Sequence, residues 1–292
     1  MKKIGFLTSE IHPELIDDDL VVLPFLRDRD IEAKPVVWDR ATDLQLKQFD
    51  GFVFRSCWNY HVKFPEYKIF LNRLRGLGIP CHNPLDVVVW NLNKSHIIEF
   101  EKLNFNGQIP VPKTKYYQTG RSISETDIET RSTNDFLVVK PAVSLNGFET
   151  YLLPTENIKK IVDTVNRLLQ DRDVLIQDYV PEIKSTGEVS LIYFNGKFSH
   201  AIRKLAAPGE FRIHQEHGGT RQPMQPSQQA IEFGDAILKQ VKQKLLYARV
   251  DYVESKNGPL MIELEVTDPM LFLLADSQAP ARFADAINEV FR

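Results

Sequence analysis

The chain has 292 residues, 43% of them hydrophobic and 26% charged, which allows one large or two ordinary domains with a sizeable core. With 36 basic against 39 acidic residues the formal net charge is −3, so neither a nucleic-acid footprint nor a membrane-binding patch is advertised. Only two cysteines occur, Cys57 and Cys81, both beside apolar runs; this excludes a disulfide scaffold and reads as core or pocket thiols of a reducing compartment, the cytoplasm by default.

The opening MKKIGFLTSE is basic, but its apolar run is too short for a signal segment, and no run in the chain reaches membrane-spanning length. Strand-like runs IGFLT, PVVW, GFVFRS and IPCHN then alternate with helical patterns. In FPEYKIFLNRLRGLG, for example, Tyr67, Phe70, Leu71 and Leu74 fall at i, i+3, i+4 and i+7. Such alternation predicts a parallel, Rossmann-like sheet. No G-x-G-x-x-G opens its first helix and no G-x-x-x-x-G-K-[ST] occurs, so any nucleotide must be held by other means. Asp17 to Asp19 read as a helix N-cap in preference to an amine site. Arg55, Ser56, Trp58 and Tyr60 follow a strand at the place where α/β sheets present ligand residues. Arg55 there suits a substrate carboxylate, or else a surface ion pair with Trp58 and Tyr60 as packing aromatics.

Asn83-Pro84 turns into LDVVVWNLNKSHIIEFEKL, read as one helix that carries Lys94 and ends near Gly107 to Pro112. The boundary is placed there, with a Rossmann-like substrate-side domain over 1–90 and a second domain over 91–292, itself divided near 180. From FLVVK onward strands dominate (ETYLL, VLIQDYV, EVSLIYFNG, KFSHAIRK, ARVDYVE, PLMIELEV), with helices near 156–170, 226–246 and 279–291, an α+β pattern.

Glu263 and Glu265 lie two apart in an apolar strand and therefore share a face, where like charges repel unless a cation or several donors compensate. A solvated sheet face and a metal site both satisfy that spacing. In VDYVESKNGPLMIELEV a three-residue loop Lys256-Asn257-Gly258 would pair Ser255 with Pro259 and set Asp251 opposite Glu263; a two-residue Asn257-Gly258 turn would point Asp251 away. Three such carboxylates suit Mg²⁺. Without metal their repulsion would go uncompensated, so Glu263→Gln is expected to cost little folding stability. Elsewhere, Lys140 ends a strand before the small-residue segment PAVSLNG, whose backbone amides and Ser144 could close over phosphates. Gln177, Asp178, Tyr179 and Val180 end another strand, and Glu188 follows a polar loop; a hinge that presents backbone groups to a base and an ordinary edge strand both fit. Lys204 and Arg212 bracket a Pro-Gly turn, which a charged hairpin would equally explain, and His200, His214 and His217 lack metal spacing.

Taken in order, WNLNKSHI, VVKPAVSLNG, QDYVPEIKSTGE, FRIHQEHGG, RVDYV and IELEVTDP resemble the ATP-grasp superfamily, and within it the glutathione synthetase and RimK-like ligases. The likeness covers roughly 83–292. RSCWNY, FSHAIRK, GEFR and the Glu-x-Glu form are similar to the cycloserine-biosynthesis ligase group, which resembles an ATP-dependent cyclase of O-ureidoserine. The resemblance implies a pre-ATP-grasp domain followed by a two-subdomain ATP-grasp fold. It implies that Lys94 and Lys140 hold ATP phosphates, that Gln177, Asp178, Tyr179 and Val180 line the adenine, and that Glu188 reaches the ribose. Lys204 and Arg212 would face the transferred phosphoryl group, with Asp251, Glu263 and Glu265 on Mg²⁺. Two departures stand out: Glu265 replaces an asparagine, and Ser190 stands where glutathione synthetases carry an arginine, so glutathione specificity does not transfer. The implied activity is carboxylate–amine ligation of a small amino-acid or peptide-like substrate through an acylphosphate, with a cyclase, a small-molecule kinase or a non-catalytic nucleotide-binding protein as alternatives. The oligomeric state is open, a homodimer included.

Overall fold

The computed structural model describes residues 1–103, 109–128, 135–213 and 217–292. The expected end of the Lys94 helix near Gly107, and His214, lie outside them.

Four parallel strands, β1 (Lys2–Thr8), β2 (Ile31–Val37), β3 (Gly51–Ser56) and β4 (Cys81–His82), form a first sheet in the order β2-β1-β3-β4. Their crossovers carry α1 (Asp17–Leu20), α2 (Leu23–Arg27), α3 (Asp43–Leu46) and α4 (Phe64–Leu77). α4 buries the four residues that its periodicity predicts, and Gly78 closes it in the left-handed region at φ 67°. The acidic run is not an N-cap: α1 is only four residues long, its N-cap is Ile16, and the carboxylates of Asp18 and Asp19 turn inward.

The helix expected through Lys94 is two helices, α5 (Leu85–Leu92) and α6 (His96–Leu103). Asn93 breaks it: its backbone is extended, and its side chain accepts the N–H of Ser95 at 2.9 Å. The break leaves Lys94 N–H free of the helix to bond the carbonyl of Ala142 at 2.8 Å.

Strands β5 (Thr114–Tyr117), β6 (Phe136–Pro141), β7 (Tyr151–Pro154) and β8 (Val174–Asp178) make an antiparallel sheet in the order β5-β8-β6-β7, backed by α7 (Ile158–Leu168). After the short α8 (Glu182–Thr186) comes a second antiparallel sheet in the order β11-β10-β9-β12-β13, built from β9 (Glu188–Phe194), β10 (Lys197–Leu205), β11 (Thr220–Met224), β12 (Tyr247–Ser255) and β13 (Gly258–Glu265). α9 (Gln228–Leu238) covers it and stops eight residues earlier than the pattern suggested, because Lys239, Gln240, Lys242, Gln243 and Lys244 offer it no apolar face. α10 (Ala279–Phe291) closes the fold.

The β12–β13 hairpin corrects the predicted loop. Ser255 pairs with Gly258 across a two-residue Lys256-Asn257 turn, which alone would set Asp251 against Ile262. A bulge between Asp251 and Tyr252 in the register skips Ile262 and restores Asp251 opposite Glu263. Gly258 does take a positive φ, 102°.

Buried amides tie this hairpin to the N-terminal region. Asn83 donates to the carbonyls of Tyr247 and Val266 and accepts the N–H of Leu246; Asn91 donates to the Leu264 carbonyl and accepts the N–H of Val266. The core follows the same path: Ile4, Phe6 and Val53 of the first sheet pack with Ile192, Phe283, Ile287 and Phe291 in one cluster.

Candidate active site

Adjacent strands of the second sheet bring alternating charges to one face. Lys204 on β10 is opposite Glu188 on β9; Asp251 on β12 lies between Ser190 on β9 and Glu263 on β13; Arg249 is opposite Glu265. Facing them across a cavity stand Val138, Lys140, Gln177, Asp178, Tyr179 and Val180 from the β5–β8 sheet, together with Ser144 in the loop after β6 and Lys94 at the α5–α6 break. The cavity therefore unites every residue expected to hold nucleotide or metal, and Lys204 and Arg212 line it as well.

The four carboxylates on the sheet face, Glu188, Asp251, Glu263 and Glu265, each have a cationic partner. Lys94 pairs with Glu263, and Arg249 reaches both Glu265 and Asp251, the latter at 2.9 Å. Lys204 lies 2.5 Å from Glu188 and 3.4 Å from Asp251, and the Ser190 hydroxyl donates to Asp251 at 2.5 Å. The expected uncompensated repulsion is thus absent. Nor is the face solvated, the Glu263 and Glu265 side chains being 26% and 13% exposed. Burial opposes ionisation of Glu263, yet Lys94 and Lys140 hold its carboxyl well below the usual range. Burial opposes the Asp251 charge too, and Arg249 and Lys204 overcome it. For Glu188 burial prevails over Lys204, and its carboxyl is pushed up to about 7. Burial likewise brings Lys140 down to about 8, with Lys94 adding to the shift; its ammonium donates to Gln177 Oε1 at 3.1 Å. Gln177 in turn donates to Thr114.

As a metal centre the site fits in donor chemistry: Asp251, Glu263 and Glu265 are hard oxygen donors on one cavity wall, the kind that suits Mg²⁺. In arrangement, Lys94, Lys204 and Arg249 engage the three, and among the described residues no group of three acidic, histidine or cysteine side chains is gathered as a metal cluster.

The expected substrate residues divide. Trp58 lines the cavity and donates Nε1–H to the Asp268 carbonyl at 3.0 Å. Arg55 forms no surface ion pair: it is fully buried, paired with Asp19 at 2.7 Å and stacked over Tyr247 and Phe283. Ser56 is buried between Thr8 and Asp19, and Tyr60 stacks on Tyr67 in the core at 5.1 Å. Arg55 and Ser56 end β3, a central strand of the first sheet, where Phe283 of α10, Tyr247 and the Pro269 carbonyl cover Arg55, whereas Tyr60, beyond the strand, packs against α4. Arg212 is held by Glu210 at 2.7 Å. His200 packs beside Phe194 with its Nε2 at the Leu271 carbonyl, and His217 lines a second cavity. Arg249 and Arg221 are cavity residues that the sequence reading did not single out. Arg249 was accessible to it, since i and i+2 on a strand place it on the face of Asp251.

Comparison with known proteins bears on the family and the fold. The family model for the prokaryotic glutathione synthetase ATP-grasp domain matches residues 103–277, and that for the N-terminal domain of D-cycloserine synthetase DcsG matches residues 4–83. A cycloserine biosynthesis protein, DcsG, of Streptomyces lavendulae is 24% identical over 282 residues, 89% of this chain and 89% of that protein. The crystal structure of D-cycloserine synthetase DcsG has a TM-score of 0.85 at 23% identity, covering 99% of this chain and 100% of that one. For D-alanine–D-alanine ligase from Bacillus anthracis complexed with ATP the score is 0.68 at 17% identity, over 100% and 97% of the two chains. Both superpositions show the fold, and the family match spans more than half of the sequence. The chain belongs to the ATP-grasp family of the prokaryotic glutathione synthetase type.

Proposed function

We propose that this protein is an ADP-forming ATP-grasp ligase that activates a small-molecule carboxylate with ATP and joins it to an amine. The observation that carries the reading is the single cavity in which Lys94, Lys140, Lys204 and Arg249 face Glu188, Asp251, Glu263 and Glu265 between two antiparallel sheets. Phosphoryl transfer needs positioning and charge compensation more than a protein nucleophile. In this reading Lys94 and Lys140 would bind phosphate oxygens, and the segment Gln177 to Val180 would border the base. Ser144 and the backbone of the following loop would cover the phosphates, and Glu188 would accept from the ribose on leaving Lys204. Lys204, Arg249 and Arg212 would surround the transferred group. Asp251, Glu263 and Glu265 would hold Mg²⁺, which when bound supplies charge neutralisation on the phosphates. The bound nucleotide and metal would replace the present ion pairs, so the same four cations and four carboxylates serve both states.

A second reading, a cyclase in which the activated group and the nucleophile belong to one molecule, is favoured by the full-length likeness to the cycloserine biosynthesis protein and the match of residues 4–83 to that group's N-terminal domain. Buried free thiols at Cys57 and Cys81 support a reducing compartment such as the cytoplasm, and no helix among the described residues is long and apolar enough to cross a membrane. The test is ADP release with amino acids, dipeptides and ureido derivatives, with mass spectrometry of the products. A condensed product supports ligation and loss of water within one substrate supports cyclisation. A stable phosphorylated product would make it a kinase, and absence of any stimulated ADP release would overturn the enzymatic reading.

A further inference from the structure

The nucleotide-side cavity adjoins a second one of about 990 Å³, and Phe272 lines both, together with Trp58, Arg212, Arg221 and Met270. Its backbone lies in the left-handed region, at φ 52° and ψ 41°, which makes it the only aromatic residue with positive φ among the described residues. A bulky L-residue is strained there by its own Cβ, and such strain persists only where the surroundings impose it.

A chain of hydrogen bonds from β10 imposes it. Arg282 donates Nε–H to the Ser199 hydroxyl at 2.9 Å, so the hydroxyl keeps its own hydrogen for His200 Nδ1, also at 2.9 Å. Nδ1 is thereby the acceptor and Nε2 the protonated nitrogen of a neutral ring, the form that burial favours. Nε2–H meets two successive carbonyls, Leu271 at 2.9 Å and Phe272 at 3.2 Å. Neighbouring carbonyls alternate in direction along an extended chain and align in a helical one, so one donor shared between these two requires helical dihedrals at Phe272. The turn in its place sets the ring against two guanidinium groups: Arg221 on β11 lies 5.2 Å and Arg249 on β12 lies 5.9 Å from the ring centroid, within cation–π range. Arg221 also reaches the Met270 sulfur, and Arg249 donates to the Met270 carbonyl at 3.4 Å. Two like charges thus share one ring where the cavities meet.

We infer that Phe272 is a positioning residue: locked in the left-handed conformation by His200, its ring holds Arg221 and Arg249 at the junction of the two cavities, toward the anionic group that passes from nucleotide to substrate. The identity of that group rests on the ligase reading; the hold on the arginines does not.

Phenylglyoxal, which modifies guanidinium groups, followed by peptide mass spectrometry reads that hold on the full chain without any ligand. Phe272→Leu keeps an apolar side chain but removes the ring face, and should speed modification of Arg221 about 2- to 30-fold, the worth of a cation–π contact. Arg249, which keeps Asp251 and Glu265, should respond less. Phe272→Tyr retains the face and should stay as slow as wild type, and His200→Leu, which removes the donor, should behave as Phe272→Leu. Calorimetry with Mg²⁺ then compares ADP with a non-hydrolysable ATP analogue. Phe272→Leu should lower the ratio of analogue to ADP affinity by a similar factor, and Phe272→Tyr should restore it. Unchanged Arg221 modification in Phe272→Leu, or Phe272→Tyr as fast as Phe272→Leu, would overturn the inference. So would quickened modification with both nucleotides weakened equally, which is the mark of packing alone. Should Phe272→Leu fail to fold, Phe272→Met and His200→Leu make the same comparison. If wild-type protein bound neither nucleotide the ligase reading would fall, while the modification rates would still decide whether Phe272 holds the arginines.

Discussion

Lys140 and Glu263 show how single residues set the chemistry of the cavity. Lys140, with an ammonium brought to about 8 chiefly by burial, is charged at neutral pH and loses its proton as pH rises through about 8. A polyanion binds the charged form, so ATP affinity should fall above about pH 8 by up to about tenfold per unit. Calorimetric titration across that range should show the slope, and Lys140→Arg, which stays charged, should flatten it. Glu263 calls for a revised expectation. Since it is the partner of Lys94, Glu263→Gln strands a largely buried ammonium and should cost about 1–3 kcal/mol, measured by denaturant unfolding. Adding Lys94→Met should recover much of that stability but no turnover. If the single change were stability-neutral, the ion pair would not hold the free protein together.

At the scale of elements, the site depends on devices only partly written in composition. The alternation of β13 and β12 made the shared face of Asp251, Glu263 and Glu265 legible, and even the register was right at Asp251. The reason was wrong: the turn is one residue shorter than supposed, and a bulge that no propensity announces makes up the difference. Of the strand-end residues singled out, Trp58 lines the cavity and Arg55 is buried under α10, a burial by a distant helix that is invisible to local pattern. The helix break at Asn93 was missed for a kindred reason, its apolar periodicity running on through a residue that bonds its own backbone. Gly187 offers a test at this scale. It joins α8 to β9 at φ 75°, and a Cβ there would lie 2.3 Å from the Lys204 carbonyl oxygen. Gly187→Ala should destabilise by about 1–3 kcal/mol and shift Glu188 from Lys204, read as weakened nucleotide affinity alongside a lower melting temperature.

For the whole molecule, the cavity lies between two sheets that a bound nucleotide would bridge. Saturation at about 100 times Kd adds about 2.7 kcal/mol. For a chain of this size that predicts a rise in melting temperature of roughly 4–5 °C with Mg²⁺ and an ATP analogue. A rise with analogue alone, unaltered by Mg²⁺, would argue against metal at Asp251, Glu263 and Glu265. The broad architecture was legible because β/α alternation gives way to consecutive strands, a change of period that needs no tertiary knowledge.

The shared core of the first sheet and α10 bears on the order in which the protein can be made. Arg29 and Asp285, 256 positions apart, form an ion pair, and Phe291 packs where any side chain on Gly51 would stand. On a ribosome the first sheet emerges early with one face still bare, and its missing partner is translated only after both antiparallel sheets. Completion of that core therefore comes late in synthesis, and the interval before it is when a nascent chain would most need shelter from aggregation. A chain stalled before Ala279 should stay protease-sensitive across β1 to β3, whereas one extended beyond Phe291 and clear of the exit tunnel should not.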